Sequence, residues 1–265
     1  MPTPRHCALI TGASSGLGEE FARQLAPCVD QLVLVARRGD LLEDLATSIA
    51  ADHPELDIRV LVVDLAEAAQ RVRLLEALAE ARLAPDLLIN NAGLGDYGDF
   101  ATAQWPRIEA MLKVNVEALT HLSHGLLPGM IEQGEGAVIN VSSLASLLPI
   151  PDFAVYAATK AYVTSFSEAL RIELREHGIP VLALCPGPVH TGFGKVAQRG
   201  EGEKGIPGRE WFYVDKEQVV AEALEALERG QARVFPHWKT AAAALFISAV
   251  PIILLRALLS SRPRK

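Results

Sequence analysis

The chain has 265 residues, half of them hydrophobic and 22% charged, with a formal net charge of −7. That composition supplies a substantial core and excludes a nucleic-acid binder that works through a basic face. Its three cysteines, Cys7, Cys28 and Cys185, lie far apart with no CxxC pair, which excludes a disulfide framework and a cysteine zinc site and points to a reducing, cytoplasmic compartment.

Apolar residues begin at Cys7–Ala8–Leu9–Ile10, but a glycine-rich turn follows too soon for a secretory leader. Ala8–Ile10 is a predicted strand, and 17–26 a predicted helix. Between them stands Thr11–Gly12–Ala13–Ser14–Ser15–Gly16–Leu17–Gly18. Gly12, Gly16 and Gly18 allow a tight turn and close approach of backbone to an anion. With Ser14, Ser15 and Leu17 they open the helix, whose free N–H groups and dipole favour a pyrophosphate.

The second strand, Leu32–Val35, ends in Ala36–Arg37–Arg38. A site for NAD(H) places an acid at this strand end, to hold the ribose 2′-hydroxyl. Here two guanidiniums stand instead, which suit a 2′-phosphate. The expected cofactor is therefore NADP(H), in preference to NAD(H). The alternative is that Arg37 and Arg38 are solvated residues opening the helix at 39–52.

Strand 58–63, helix 67–83 and strand 87–89 follow, then a long helical segment over 104–132. His121 and His124 share that segment without matching carboxylates or cysteines, so no metal site is expected. Strand 137–141, helix 154–177 and strand 181–184 continue the alternation. A glycine-rich stretch, 192–213, interrupts it; loops of this length are commonly functional or mobile. Helix 216–229 and strand 232–235 close the series. Several strands are continuous apolar runs, as expected where both faces are covered. The pattern predicts an α/β, doubly wound Rossmann fold with a mostly parallel, seven-stranded sheet.

No linker divides this part, so 1–236 is expected to be one nucleotide-binding catalytic domain, and 237–265 an apolar helical extension with a basic tail. Thr240 to Leu255 carry no charge; Arg256, Arg262, Arg264 and Lys265 follow. An uncharged run of this length falls short of the roughly 20 residues a spanning helix needs, and Pro251 would kink it. Three placements stay open: an interfacial helix on an anionic membrane, a helix over the substrate cleft, or a subunit contact.

Tyr156 and Lys160 stand at i and i+4 and share a face of the predicted helix. A free phenol is a poor acid–base group at neutral pH; a nearby cation favours its ionised form. Ser143 lies at the end of strand 137–141, where strand ends of one polarity border the ligand crevice. Its hydroxyl can donate to a substrate oxygen, while Ser142 is expected to point elsewhere.

With these residues in place, the chain closely resembles the short-chain dehydrogenase/reductase family over about residues 5–236. The resemblance rests on TGASSGLG at 11–18, Asp64–Leu65, NNAG at 90–93, Asn115 in KVNV, Ser143, YAATK at 156–160 and PGPVHT at 186–191. It implies a hydride transfer between a nicotinamide and a carbonyl or alcohol carbon, without a metal. Tyr156 would be the acid–base residue, and Ser143 would polarise the substrate oxygen. Lys160 would lower the pKa of Tyr156 and hold the ribose hydroxyls. Asn115 would stabilise a helix break and a proton-relay water. Asp64 with Leu65 would meet the adenine. Asn90, Ala92 and Gly93 would line the cofactor cleft. Val189 and Thr191, after Pro186 and Gly187, would bind the carboxamide.

The wording of LLPGM at 126–130 and PIPDFAVYAATKAY is similar to the branch with hydroxysteroid and long-chain 3-oxoacyl reductases. The apolar residues Leu144, Leu147, Leu148, Pro149, Ile150, Pro151 and Phe153 suit a hydrophobic small-molecule substrate, or equally a core or subunit contact. The resemblance also implies a homo-oligomer through the helices at 104–132 and 154–177. A rival reading is an NADPH-binding regulator without turnover; loss of Tyr156, Lys160 or Ser143 would mark it, and all three are present.

Overall fold

The computed structural model describes residues 5–199 and 210–260. Gly200, Gly202, Gly205, Pro207 and Gly208 of the glycine-rich stretch, and the basic residues Arg262, Arg264 and Lys265, lie outside the described residues. The first half of the chain alternates strand and helix: β1 (Arg5–Thr11), α1 (Gly16–Leu25), β2 (Val29–Ala36), α2 (Gly39–Asp52), β3 (Asp57–Val62), α3 (Ala68–Glu80) and β4 (Leu87–Asn90). The segment at 104–132 is not a uniform α-helix. It comprises α4 (Trp105–Leu112), a π-helical stretch (Lys113–Ala118) and α5 (Leu119–Gln133). Then come β5 (Ala137–Val141), α6 (Ala154–Glu173), β6 (Val181–Leu184), the short α7 (Phe193–Ala197), α8 (Lys216–Glu228) and β7 (Arg233–Val234).

The seven strands form one sheet in the order β3-β2-β1-β4-β5-β6-β7, every pair parallel. Parallel neighbours need crossovers, and the helices supply them on both faces. Alternate side chains of one strand therefore enter different cores. Ala8 and Ile10 of β1 pack with Phe21 of α1, Leu42 of α2 and Val220 of α8. Cys7 and Leu9 pack with Leu74 of α3, Leu122 of α5 and Leu170 of α6. Burial on both faces explains why the strands are continuous apolar runs.

The extension beyond β7 is two helices rather than one: α9 (Trp238–Ala249) and α10 (Ile252–Ser260). The break falls at Val250, whose backbone is extended. The residue before a proline is driven out of the helical region, and Pro251 has no N–H to donate. Helix α9 buries Thr240 and Ala244, while Leu245 and Phe246 face outwards. Among the described residues, no helix is long and apolar enough to cross a membrane.

Candidate active site

The strand order reverses between β1 and β4, and the loops leaving the C-terminal strand ends there border a cleft of about 1730 Å³. A crevice at such a switch point is where open α/β sheets bind ligands. Gly12, Ser14, Ser15, Gly16 and Leu17 form its first wall. Gly12 has φ +67°, a region unfavourable to other residues, and its N–H donates to Val35 O at 2.7 Å. Gly16 faces Thr191, whose side chain would lie 3.3 Å from an added Cβ. Gly18 does not border the cleft. A Cβ there would sit 2.3 Å from Gly12 O, so its role is the close seating of α1 on the turn.

Arg37 and Arg38 leave the end of β2 and border the same cleft. Arg38 donates to Ser14 Oγ at 3.0 Å and Ser15 Oγ at 2.8 Å, so its guanidinium lies across the turn. Arg37 lies a loose 3.9 Å from Asp64. Each guanidinium keeps donors to spare, and with the open N-terminus of α1 the group fits a phosphorylated nucleotide. Asp64 also accepts from Ala66 N at 2.9 Å, and Leu65 borders the cleft beside it. The Leu65 carbonyl accepts from Arg71 at 2.7 Å. Arg71 is buried and also pairs with Glu117 on the π stretch. Sequence reasoning missed it, although it shares the apolar stripe of Leu74 and Leu78 on α3.

Asn90 was expected in the cleft and is not there. It is the last residue of β4, and its amide donates to Ser123 Oγ at 3.1 Å and Asn140 Oδ1 at 2.9 Å in the buried interior. Its neighbour Asn91, which was not assigned a role, borders the cleft and donates to Thr11 O at 2.9 Å. Thr11 completes this junction by accepting from the N–H groups of Asn91 and Ala92, each at 3.0 Å. Ala92 and Gly93 line the cleft, and an added Cβ on Gly93 would be 3.5 Å from Lys160 Nζ.

Helix α6 carries Tyr156 and Lys160 on its buried face, and β5 delivers Ser143 to the cleft beside them. Ser142 turns away, donating to Lys160 O at 2.8 Å and meeting Thr164 Oγ1 at 2.7 Å. Lys160 Nζ donates to Val141 O at 2.8 Å and lies 5.7 Å from the Tyr156 ring centre. Phe153 stacks on Tyr156 at 4.3 Å, and Phe193 tilts against it at 5.3 Å. These apolar walls set the ionisation of both groups. Burial pushes the phenol up to about 12, opposed by its hydrogen bond with Ser143. Burial pulls the Lys160 ammonium down to about 8, opposed by Cys185. The expected lowering of the phenol by Lys160 is not seen in the protein alone, where only the Ser143 hydrogen bond opposes desolvation.

Asn115 lies on the π stretch, where the helical rod widens without breaking. Its Oδ1 accepts from Leu94 N at 2.8 Å, and its Nδ2 donates to Leu94 O at 2.9 Å and Thr159 Oγ1 at 3.1 Å. The amide therefore ties the loop after β4 to α6, in place of the expected helix break. After β6, Pro186, Gly187, Val189 and Thr191 line the cleft. Gly187 packs against Thr240 of α9, 2.9 Å from an added Cβ. Arg256 and Leu259 of α10 also border the cleft, so of the three placements open for the extension, α10 lies at the cleft. Among the described residues no cluster of His, Cys, Asp and Glu is arranged to hold a metal ion. A buried protonated phenol, a hydroxyl and an ammonium around one cleft can exchange a proton with a carbonyl oxygen.

A family profile described as short chain dehydrogenase matches residues 6–202. A sulfoacetaldehyde reductase of Chromohalobacter salexigens is 35% identical over 200 residues, 74% of this chain and 77% of that protein. The human very-long-chain 3-oxoacyl-CoA reductase is 29% identical over 197 residues, 71% of this chain and 61% of that protein. Among solved structures, a short-chain dehydrogenase from Sphingobium yanoikuyae in complex with NADPH has a TM-score of 0.81 at 29% identity, covering 98% of this chain and 97% of the other. One from Burkholderia phymatum in complex with NAD has a TM-score of 0.79 at 26% identity, covering 92% and 93%.

Proposed function

The chain belongs to the short chain dehydrogenase family, and from that premise we propose that it reduces a hydrophobic ketone, or oxidises the matching secondary alcohol, with NADP(H). The observation that carries the reading is the convergence of Ser143, Tyr156 and Lys160 on one cleft walled by Phe153 and Phe193. When bound, the nicotinamide supplies or accepts the hydride. Tyr156 holds a proton at Oη and passes it to the carbonyl oxygen. Ser143 Oγ donates to the same oxygen and orients it. Lys160, anchored on Val141 O, presents an ammonium to the ribose hydroxyls, and Asn115 keeps the Leu94 loop and α6 in register. Asp64 and Leu65 would hold the adenine, Ala92 and Gly93 line the cleft, and Val189 and Thr191 would hold the carboxamide.

The preference for NADP(H) rests on Arg37 and Arg38 and on the absence of an acid at the end of β2; bound NADPH and bound NAD both occur among the similar structures. The hydrophobic substrate is supported by the cleft wall and by the similarity to a very-long-chain 3-oxoacyl-CoA reductase. We assign the protein to the cytoplasm as a homo-oligomer joined through α4, α5 and α6, where Tyr162 and Ile172 are exposed. We also assign a peripheral contact with anionic membrane to the outward faces of α9 and α10.

The test is NADPH oxidation by the purified protein with ketones, aldehydes, 3-oxoacyl thioesters and steroid ketones, with NADH in parallel. Turnover with NADPH on a hydrophobic ketone is expected, and Arg37→Ala raises the KM for NADPH much more than for NADH. Equal KM changes for the two nucleotides sink the phosphate assignment. Tight NADPH binding without turnover on any carbonyl favours the regulator instead.

A further inference from the structure

Arg256 is the only charged residue between Lys239 and Arg262. It follows Leu255, which is buried and seats α10 on the body of the protein. Ile253 and Leu254, on the outward side, are exposed. Arg256 is exposed, and with Leu259, one helical turn on, it borders the cleft. The path of the chain brings this cation to the substrate half. Helix α9 packs behind the turn at Leu144–Leu147 that follows Ser143, and its Thr240 sits against Gly187.

Much of that wall is apolar: Leu148, Ile150, Phe153 and Phe193 border the cleft. The carboxylates there are otherwise engaged or set apart. Asp64 meets Arg37, Asp99 accepts from Ala101 N, and Asp152 forms no ion pair with Arg256 among the described residues. Lys195 is a second cation on the same lining.

We propose that Arg256 is a specificity residue, selecting carbonyl substrates whose apolar body ends in an organic anion, such as a carboxylate, sulfonate or phosphate ester. The inference deepens the oxidoreductase reading and rests on it. A guanidinium can hold such a group through paired donors, while the apolar wall covers the chain between anion and carbonyl. The anion stays at the rim, near water, so Arg256 discriminates between substrates and takes no part in proton transfer.

The experiment uses a mid-chain oxo fatty acid and its methyl ester, titrated calorimetrically into the full chain loaded with NADP+, so that no turnover intervenes. Wild type is expected to bind the acid about tenfold more tightly than the ester. Arg256→Gln removes the preference, Arg256→Lys keeps most of it, and the Kd for NADP+ is the same in all three. An alkyl sulfonate and an alkyl phosphate, each against the parent alcohol, rank the anions. Equal affinity of wild type for acid and ester overturns the proposal, as does an unchanged preference in Arg256→Gln. So does an Arg256→Gln defect confined to NADP+, which would assign Arg256 to the nucleotide. If the preference follows Arg256 but no carbonyl is reduced by NADPH, the oxidoreductase reading fails while the anion site stands.

Discussion

Tyr156 keeps its proton far into alkaline pH because Phe153, Phe193 and the strand ends exclude the water that would stabilise phenolate. In the free protein it is thus an acid waiting for a base, which suits reduction. Lys160 is the group that titrates within reach of experiment. Burial has brought its ammonium down to about 8, so the charge is present below that pH and lost above it. An ammonium attracts the anionic nucleotide and a neutral amine does not. The kcat/KM for NADPH, which reports groups of the free enzyme, is therefore expected to fall as pH rises through about 8. Tyr156 adds no limb below about 12. A profile flat to pH 10 would remove Lys160 from nucleotide capture. Tyr156→Phe keeps the stacked ring and deletes only the hydroxyl. It is expected to abolish turnover while the fluorescence-measured Kd for NADPH moves less than threefold, and retained turnover would remove the phenol from the chemistry.

The π stretch at Lys113–Ala118 shows how an element serves a site that its own hydrogen-bond pattern would not suggest. Widening the rod there carries Asn115 to the backbone of Leu94, where one amide satisfies both an N–H and a carbonyl. Asn115→Ala leaves both groups without their partner, which costs about 2 kcal/mol. The expected result is a lower urea midpoint at unchanged m-value, with a reduced kcat. An unchanged midpoint would mean that water replaces the amide and that the link is not structural. The local pattern carried no sign of this element, because an α-to-π change inserts no turn residue and leaves the apolar pattern of 104–132 intact; only the family resemblance implied an irregularity at Asn115, as a helix break. The strands were legible for the opposite reason: with helices on both faces, Leu32–Val35 and Val181–Leu184 must be apolar throughout. Asn90 was misplaced by one position. Strand β4 runs through residue 90, so that side chain still obeys the sheet's alternation and meets Ser123, and Asn91 is the first free to turn to the cleft. The break before α10 was legible at Pro251, but which face α10 presents depends on tertiary seating that no local pattern carries.

At the scale of the whole molecule the C-terminal helices do two things with opposite faces. Inwardly, Thr240 and Ala244 close the core beside Gly187, and Arg256 and Leu259 edge the cleft. Outwardly, Leu245, Phe246, Ile253 and Leu254 are exposed. The apolar surface continues to Trp238 and Trp211, whose rings lie 6.3 Å apart, with Lys239 Nζ 4.6 Å from the centre of the Trp211 ring. Aromatic rings beside a lysine suit the boundary between headgroups and acyl chains, and a substrate with an apolar body would be concentrated there. Neither helix is long enough to span, so the contact would be reversible. Transferring Leu245 and Phe246 from water into that boundary is worth up to about 3 kcal/mol per side chain if burial is complete, and a carboxylate at either position reverses the gain. Leu245→Glu with Phe246→Glu is therefore expected to reduce sedimentation with phosphatidylserine vesicles at least tenfold, while kcat/KM on a water-soluble ketone stays within twofold, since neither residue borders the cleft. Failure of the unaltered protein to sediment with the vesicles would end the membrane reading, and so would undiminished sedimentation of the double variant. If the double variant instead lost activity on the soluble ketone, the outward face of α9 would be needed for the packing of the cleft itself.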